Sequence, residues 1–351
     1  MNQGWYACKR ILCIRPDNMG DLLMSGPAIR ALKSTFNCHI TVLTSSMGAP
    51  VTYNMPEVDD TIIFDAPWVQ TEKTTSSFED TIAVLKKGRF DAAVIFTVYS
   101  QNPLPSVMLA YLAGIPLRLA YCRENPYHLL THWVPDQEPY DFIRHQVRRD
   151  LDLVTFTGAY TEDENLRIIV HENLWPAVSK KLVEAGANLN RPLIILHPEV
   201  SEVKRQYSIE QWVSAAQRLS EDYQLVITGK KETDGITGAV SLCGQLSLEE
   251  LIVLIKHASL LLSVNTGTIH IAAATATPVV VLYALTNPQH TPWNVKSKVL
   301  YFDVPEHLCS KNEVIKYVRK SWSKAPTATP ENIIAATTEL LGCFEHPHSL
   351  P

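Results

Sequence analysis

The sequence predicts an α/β protein made of two doubly wound, Rossmann-like domains facing each other across a cleft. Three observations predict it. The chain has 351 residues, beyond the size of about 250–300 residues at which a single hydrophobic core stops growing. Apolar runs of strand length alternate with stretches of helical period from end to end. That alternation halts once, at the polar stretch Gly158–Asn165 (GAYTEDEN), and then restarts. The expected boundary lies near residue 172, giving domains 1–172 and 173–351.

Arg10–Arg15 (RILCIR) is too short for a helix and is stopped by Pro16, so it reads as the first strand. Leu22, Leu23, Ile29, Leu32 and Phe36 then recur near a 3.6-residue period, the mark of a helix with one buried face. Ile40–Thr44, Thr61–Phe64, Ala92–Phe96 and Leu117–Tyr121 read as further strands, and Asp141–Thr155 as a helix closing the first half. Ile168–Val170 is an isolated apolar triplet of strand character. In the second half, strands are expected at Leu193–Leu196, Leu225–Ile227, Leu260–Val264 and Val279–Leu282. Helices are expected at Ile209–Leu219, Leu248–His257 and Thr268–Ala274. Continuous rather than alternating apolar strands suit a parallel sheet covered on both faces, and strand–helix alternation with right-handed crossovers makes that sheet doubly wound. In such sheets ligands sit at the carboxyl ends of the strands. The tail Glu345–Pro351 is expected to be disordered.

Composition bounds the function. The chain is 46% hydrophobic and 19% charged, with a formal net charge of −5, so no global attraction to nucleic acid is expected. Seven scattered cysteines (8, 13, 38, 122, 243, 309 and 343) include no CxxC pair and read as reduced thiols rather than a disulfide frame or zinc site. Met1–Arg10 lacks the apolar core of a secretory signal, and no run approaches the ~18 apolar residues of a membrane span. The expectation is a cytoplasmic protein.

Two turns carry the chemistry. Strand Arg10–Arg15 runs into Pro16-Asp17-Asn18-Met19-Gly20-Asp21. Gly20 permits close backbone approach or an αL conformation. Asp21 is either a plain N-cap or a carboxylate at a strand's carboxyl end, able to accept a proton from a hydroxyl. The GxGxxG dinucleotide fingerprint is absent, which argues against a dehydrogenase. In the second half, His197-Pro198-Glu199-Val200-Ser201-Glu202-Val203-Lys204-Arg205 places adjacent cations after a strand, suited to a diphosphate or simply a solvated pair. Asn265-Thr266-Gly267-Thr268-Ile269-His270 joins a strand to a small-residue helix. Its open N–H groups and positive dipole end make an anion site, although a plain tight turn capped by Thr268 fits the same letters. His270 is a phosphate ligand or a packed core imidazole. Glu232 can take ribose hydroxyls or lie in a solvated loop. Leu246 can cover a purine or be core, and Trp293 can line the cleft or anchor the core. His145, Arg148 and Arg149 are expected to include one helix-face salt bridge and one cleft-facing group.

Together these segments resemble the heptosyltransferases of glycosyltransferase family 9. RILCIRPDNMGDLLMSGPAIRALK is similar to the family's opening, HPEVSEVKRQYSIEQW to its central phosphate-side motif, and LSLEELIVLIKHASLLLSVNTGTIHIAAATATPVVVLYALTNPQHTPW to its C-terminal signature. The resemblance implies a GT-B fold and inverting, metal-independent transfer of heptose or a related sugar from a nucleotide-diphosphate donor, ADP-linked, to a glycan or glycolipid hydroxyl in lipopolysaccharide biosynthesis. It implies no cofactor, and peripheral contact with the inner membrane is compatible with it. It makes Asp21 the catalytic base and Lys204 the lysine on the donor's diphosphate and sugar. Thr266, Gly267 and His270, with Arg205 and Thr268 beside them, become the diphosphate-binding set. Glu232 becomes the ribose-contacting acid, and Leu246 the residue covering the adenine. Two positions depart from the family pattern: Asn265, at a position facing the donor sugar, stands where Asp is usual, and Glu199-Val200 where small or hydroxyl-bearing residues are usual. The cysteine-rich segment of some relatives is reduced to Cys309. Acceptor recognition is assigned to the loops Pro67–Ser77 and Tyr99–Pro105, and domain closure is expected to exclude water. A non-catalytic nucleotide-sugar-binding protein and a GT-B nucleotide-sugar epimerase remain the alternatives. Donor sugar, acceptor and oligomeric state are open.

Overall fold

A computed structural model describes residues 3–69, 77–233 and 235–342. Residues 70–76 of the loop Pro67–Ser77, Cys343 and the tail Glu345–Pro351 lie outside the described residues. The chain forms two compact units, Met1–Ile169 and Val170–Pro351.

The first unit opens with a short helix α1 (Gln3–Tyr6), then β1 (Arg10–Arg15), α2 (Met19–Phe36), β2 (His39–Thr44), α3 (Ala49–Thr52), β3 (Asp60–Ile63), α4 (Phe78–Gly88), β4 (Ala92–Ile95), α5 (Leu104–Leu112), β5 (Leu117–Cys122), β6 (His132–Pro135) and α6 (Gln146–Thr155). Its six strands are all parallel, in the order β3-β2-β1-β4-β5-β6. Ile11, Leu12, Cys13 and Ile14 of β1 are fully buried, as a central strand covered on both faces requires.

The second unit repeats the plan with α7 (Trp175–Glu184), β7 (Leu193–His197), α8 (Ile209–Asp222), β8 (Gln224–Ile227), β9 (Ala239–Ser241), α9 (Leu248–His257), β10 (Leu260–Val264), α10 (Gly267–Thr275), β11 (Val279–Ala284), β12 (Ser297–Phe302), α11 (Glu313–Ser321) and α12 (Pro330–Gly342). The sheet order is β12-β11-β10-β7-β8-β9, again all parallel. Relative to each unit's own first strand, the two orders are the same. One core cluster of the second unit packs Trp212 of α8 against the inner strands and against Ile333 and Ala336 of α12. Both units are therefore doubly wound α/β layers. Each has a switch point, between β1 and β4 in the first and between β7 and β10 in the second, where successive connections leave on opposite faces and a crevice opens at the strands' carboxyl ends.

Helix starts follow the local chemistry. Ser77, Ser208 and Asn312 cap α4, α8 and α11 through their side chains, and Ser247 with Glu250 forms a capping box on α9. Neither Asn18 before α2 nor Thr266 before α10 makes a side-chain cap bond.

Three expectations need correction. Ile168–Val170 is no strand. It runs as unpaired chain, fastened by the Ile169 N–H donating to the Asn54 carbonyl at 2.7 Å. The helix expected from Asp141 begins only at Gln146, because the His145 ring accepts from the Val147 N–H and caps the helix there. Gly20 lies inside the first turn of α2 rather than in an αL position. Strands β6, β9 and β12 were not anticipated. Each is an edge or near-edge strand, and β9 and β12 are only half-buried, so none carries a continuous buried apolar run. Among the described residues no helix is long and apolar enough to cross a membrane.

Leu262 sits in β10, fully buried, two residues before that strand's end. Truncating it leaves a cavity in the sheet that carries the second switch point. Leu262→Ala is expected to cost about 2–5 kcal/mol, read as a lowered urea midpoint with unchanged slope; an unshifted midpoint would contradict the packing described.

Candidate functional site

At the first switch point the loop after β1 meets the loop after β4. Asp17 accepts from the Gln101 side-chain amide at 2.6 Å, and its own carbonyl accepts from the Ser45 hydroxyl at 2.7 Å. Asp21 occupies the third position of α2, with Asn18 at the cap, so Asp21 is not the N-cap. An acidic residue in a first turn is favoured by the helix dipole, and Asp21 is still one-fifth exposed, with a side-chain relative exposure of 19%.

Beneath it lies Arg15, the last residue of β1, fully buried. Its Nε stands 3.0 Å from Asp17 Oδ2, and its Nη2 donates to Asp21 Oδ1 at 3.4 Å. The approach to Asp17 is a charge contact without hydrogen-bond alignment, since among the described residues neither Arg15 Nε nor Asp17 Oδ2 has a hydrogen-bond partner. Burial disfavours the guanidinium's charge, but Asp17, Asp150 and Asp21 outweigh it and hold Arg15 protonated. Burial pushes the Asp17 carboxyl upward against the pull of Arg15. Asp150, on α6, accepts from Ser25 at 2.7 Å and from Gln146 at 2.8 Å. Its burial raises the carboxyl to about 6, against Arg15, Ser25, Arg149 and Gln146.

Of the three residues expected to include one helix-face salt bridge and one cleft-facing group, Arg148 makes the salt bridge, to Asp152 one turn along α6, and Arg149 and His145 are engaged otherwise. Arg149 is fully buried, with Asp136 at 2.9 Å and Glu138 at 2.5 Å. Arg148 pairs with Glu164 and lies 3.8 Å from Asp152, and His145 is the cap of α6. Two buried carboxylates facing one buried guanidinium leave it nothing for a ligand.

At the second switch point the loop after β7 meets the loop after β10. His197 ends β7 with Nδ1 2.9 Å from the Thr228 hydroxyl, and burial lowers its pKa to about 4, so it is neutral near pH 7. A 3₁₀ turn, Val203–Arg205, holds the two cations. Both pair with the half-exposed Glu202: Lys204 Nζ with Oε2, and Arg205 Nη2 with Oε1 at 3.2 Å. Arg205 Nη1 also donates to the Asn265 carbonyl at 3.4 Å, which brings the guanidinium to the turn that starts α10. Its Nε has no hydrogen-bond partner among the described residues. Glu199 is turned aside, its carboxylate accepting from the Lys230 N–H on the loop after β8.

Thr266 Oγ1 lies 2.8 Å from Thr268 Oγ1, which lies 3.1 Å from Ser263 Oγ. The Thr266 hydroxyl is thus engaged along the turn, not as a helix cap. Among the described residues nothing accepts from the Gly267 and Thr268 N–H groups, the orphan donors of a helix start. Asn265 is buried, its Oδ1 accepting from the Ala284 N–H at 3.1 Å and its Nδ2 3.4 Å from Thr286 Oγ1. The side chain expected to face a sugar is therefore used to tie the ends of β10 and β11 together. His270 is buried one turn into α10.

Glu232 is exposed on the loop after β8 and accepts from Ser241 at 2.7 Å. Leu246 is half-buried just before the cap of α9, and Trp293 is half-buried after the turn Pro288–His290. Lys204, Arg205, Asn265, Thr266, Gly267 and Thr268 thus come together around one crevice, with Asp21 at the corresponding place in the other unit. Arg15 and Asp150 were missed. The signal available was the grouping of Arg15, Asp17 and Asp21 within seven residues at a strand end.

Comparison with known proteins places these features in a family. The profile of "Glycosyltransferase family 9 (heptosyltransferase)" matches residues 82–318. The chain is 25% identical to lipopolysaccharide heptosyltransferase 2 of Escherichia coli (strain K12), over 95% of this chain and 98% of that protein. Among solved structures, a family 9 glycosyltransferase from Veillonella parvula DSM 2008 superposes with a TM-score of 0.72 at 17% identity, covering 95% and 97% of the two chains. The E. coli ADP-heptose LPS heptosyltransferase II superposes with a TM-score of 0.70 at 22% identity, covering 96% and 100%. This structural likeness shows the fold, two α/β units of GT-B type.

A carboxyl whose native pKa is about 6, against about 4 when unfolded, binds more protons folded than unfolded between those values. Its stabilising contribution is therefore full below pH 4 and is lost as pH rises through 6. Replacing it by a neutral isostere removes that loss. Asp150→Asn is expected to melt progressively higher relative to the parent between pH 5 and pH 7.5, by up to about 2–3 kcal/mol. Parallel melting curves across that range would refute the assignment.

Proposed function

The chain belongs to glycosyltransferase family 9 and is a glycosyltransferase; from that premise we propose that it transfers heptose from ADP-heptose to a hydroxyl of the lipopolysaccharide core, with inversion and without a divalent ion. The names of its relatives support donor and acceptor. One observation carries the donor site: Arg205 reaches the Asn265 carbonyl, setting a guanidinium beside the uncapped N-terminus of α10 at a switch point.

In this reading Lys204, Arg205 and the N–H groups of Gly267 and Thr268 hold the diphosphate, with the Thr266 hydroxyl and His270 supporting the turn. Glu232 takes the ribose and Leu246 covers the adenine. Half-exposed ion pairs such as those to Glu202 are worth about 0–1 kcal/mol, so a diphosphate displaces that carboxylate at little cost. Asp21 takes the proton of the acceptor hydroxyl. The oxygen bonds to the anomeric carbon on the face opposite the diphosphate, the bond from that carbon to the phosphate oxygen breaks, and ADP leaves with the electron pair. The charge that develops on ADP meets donors already in place, commonly the largest catalytic contribution. A glycolipid acceptor would bring this enzyme to the cytoplasmic surface of the inner membrane.

Asp21→Asn should lower kcat by a factor on the order of 10²–10⁴ while ADP still raises the melting temperature by mass action. Undiminished turnover in that variant would remove Asp21 from the mechanism. Treatment with EDTA should leave the rate unchanged; a loss restored by Mg²⁺ would show that the protein's cations do not suffice.

A further inference from the structure

Arg15 is the largest unexplained expense of the first unit. A guanidinium with no solvent exposure loses its hydration, and burying such a charge costs several kcal/mol unless partners compensate. Here the compensation is geometrically incomplete: Nε and Nη1 have no aligned hydrogen bond. Among the described residues its aligned bond is from Nη2 to Asp21 Oδ1.

We propose that Arg15 is a positioning residue for transfer: it fixes the Asp21 carboxylate, holding Oδ1 inward so that the remaining oxygen is presented to the acceptor hydroxyl. This rests on the reading of Asp21 as the general base. Arg15 ends a central strand that is hydrogen-bonded on both sides, to β2 and to β4, so its Cα is set by the sheet. Asp21 sits in the first turn of a helix. A bond from the rigid strand to the helix start restrains that carboxylate before substrate arrives, and preorganisation of this kind is what a general base needs.

The charges around Arg15 are Asp17 from the loop after β1, Asp21 from α2, and Asp150 and Arg149 from α6. Arg149 is paired with Asp136 and Glu138. Gln101 engages Asp17, and Ser25 and Gln146 engage Asp150. Removing the guanidinium takes away a positive charge that faces Asp21, so the acid limb of the kcat profile moves to higher pH.

The test is a double-mutant cycle on the full chain, with Arg15→Lys and Arg15→Met each made in the parent and in Asp21→Asn. In the parent, Arg15→Lys should lower kcat about 5–20-fold and Arg15→Met about 10–100-fold. Donor KM and the melting shift with ADP should be unchanged. In the Asp21→Asn background the same substitutions should cost less than a factor of two, because the residue they act through is gone. Equal losses in both backgrounds, wild-type kcat for Arg15→Lys, or an unmoved acid limb for Arg15→Met would overturn the proposal. Should Arg15→Met fail to fold, the charge-retaining Arg15→Lys alone decides. Full activity of Asp21→Asn itself would instead remove the base, and that outcome is separate from any result on Arg15.

Discussion

Both units depend on one topological constraint: the strand order reverses beside β1 and beside β7. At such a point the connections leave on opposite faces, so no crossover covers the strand ends and the crevice stays open. Polar groups on its rim must then pair with each other or with a ligand. In the first unit Asp17 and Gln101 bridge the two diverging loops. In the second, Arg205 and the Asn265 carbonyl do the same. The same geometry thus produces the same kind of bridge twice, from unrelated side chains.

Charge is handled differently on the two rims, in keeping with the two roles proposed for them. Around Arg15 the charges are largely buried: Asp17 and Asp150 are each under a tenth exposed, Arg15 is not exposed at all, and Asp21 is one-fifth exposed. In such surroundings a charge that loses its partner costs about 3–5 kcal/mol, so the arrangement is fixed. Around Glu202 the pairs are a quarter to two-fifths exposed, where each is worth less than about 1 kcal/mol. Those cations can change partners. A fixed carboxylate suits proton abstraction, and exchangeable cations suit a ligand that must arrive charged and leave more so.

How much was legible in the sequence follows from where each element sits. The inner strands Arg10–Arg15, Leu260–Val264 and Val279–Ala284 were readable because burial on both faces makes them continuous apolar runs. His132–Pro135, Ala239–Ser241 and Ser297–Phe302 were not, because edge strands are only partly covered and their letters lose that signature. Ile168–Val170 misled in the opposite sense: three apolar-rich positions with no strand beside them. In the site, Lys204, Arg205 and the Asn265–Thr268 turn were readable only in combination, since each alone matches a solvated pair or an ordinary tight turn. Arg15 was hidden for a tertiary reason. An arginine at a strand end looks like a surface terminus until α2 and α6 enclose it.

The two departures from the family pattern acquire a common physical sense from these contacts. An acid at position 199 beside a diphosphate would oppose binding, but the Glu199 carboxylate is spent on the Lys230 N–H. At position 265 an amide satisfies the Ala284 N–H with its oxygen and reaches Thr286 with its nitrogen, filling a buried place without burying a charge. A carboxylate would have to compete with the Ala284 carbonyl for the single Thr286 hydroxyl proton, and it would add a negative charge beside the carbonyl that Arg205 grips. With Asn265 neutral and Glu199 diverted, the ion pairs of Lys204 and Arg205 go, among the described residues, to Glu202 alone. The positive charge of the second rim is therefore opposed by one half-exposed carboxylate, with which an incoming anion would compete.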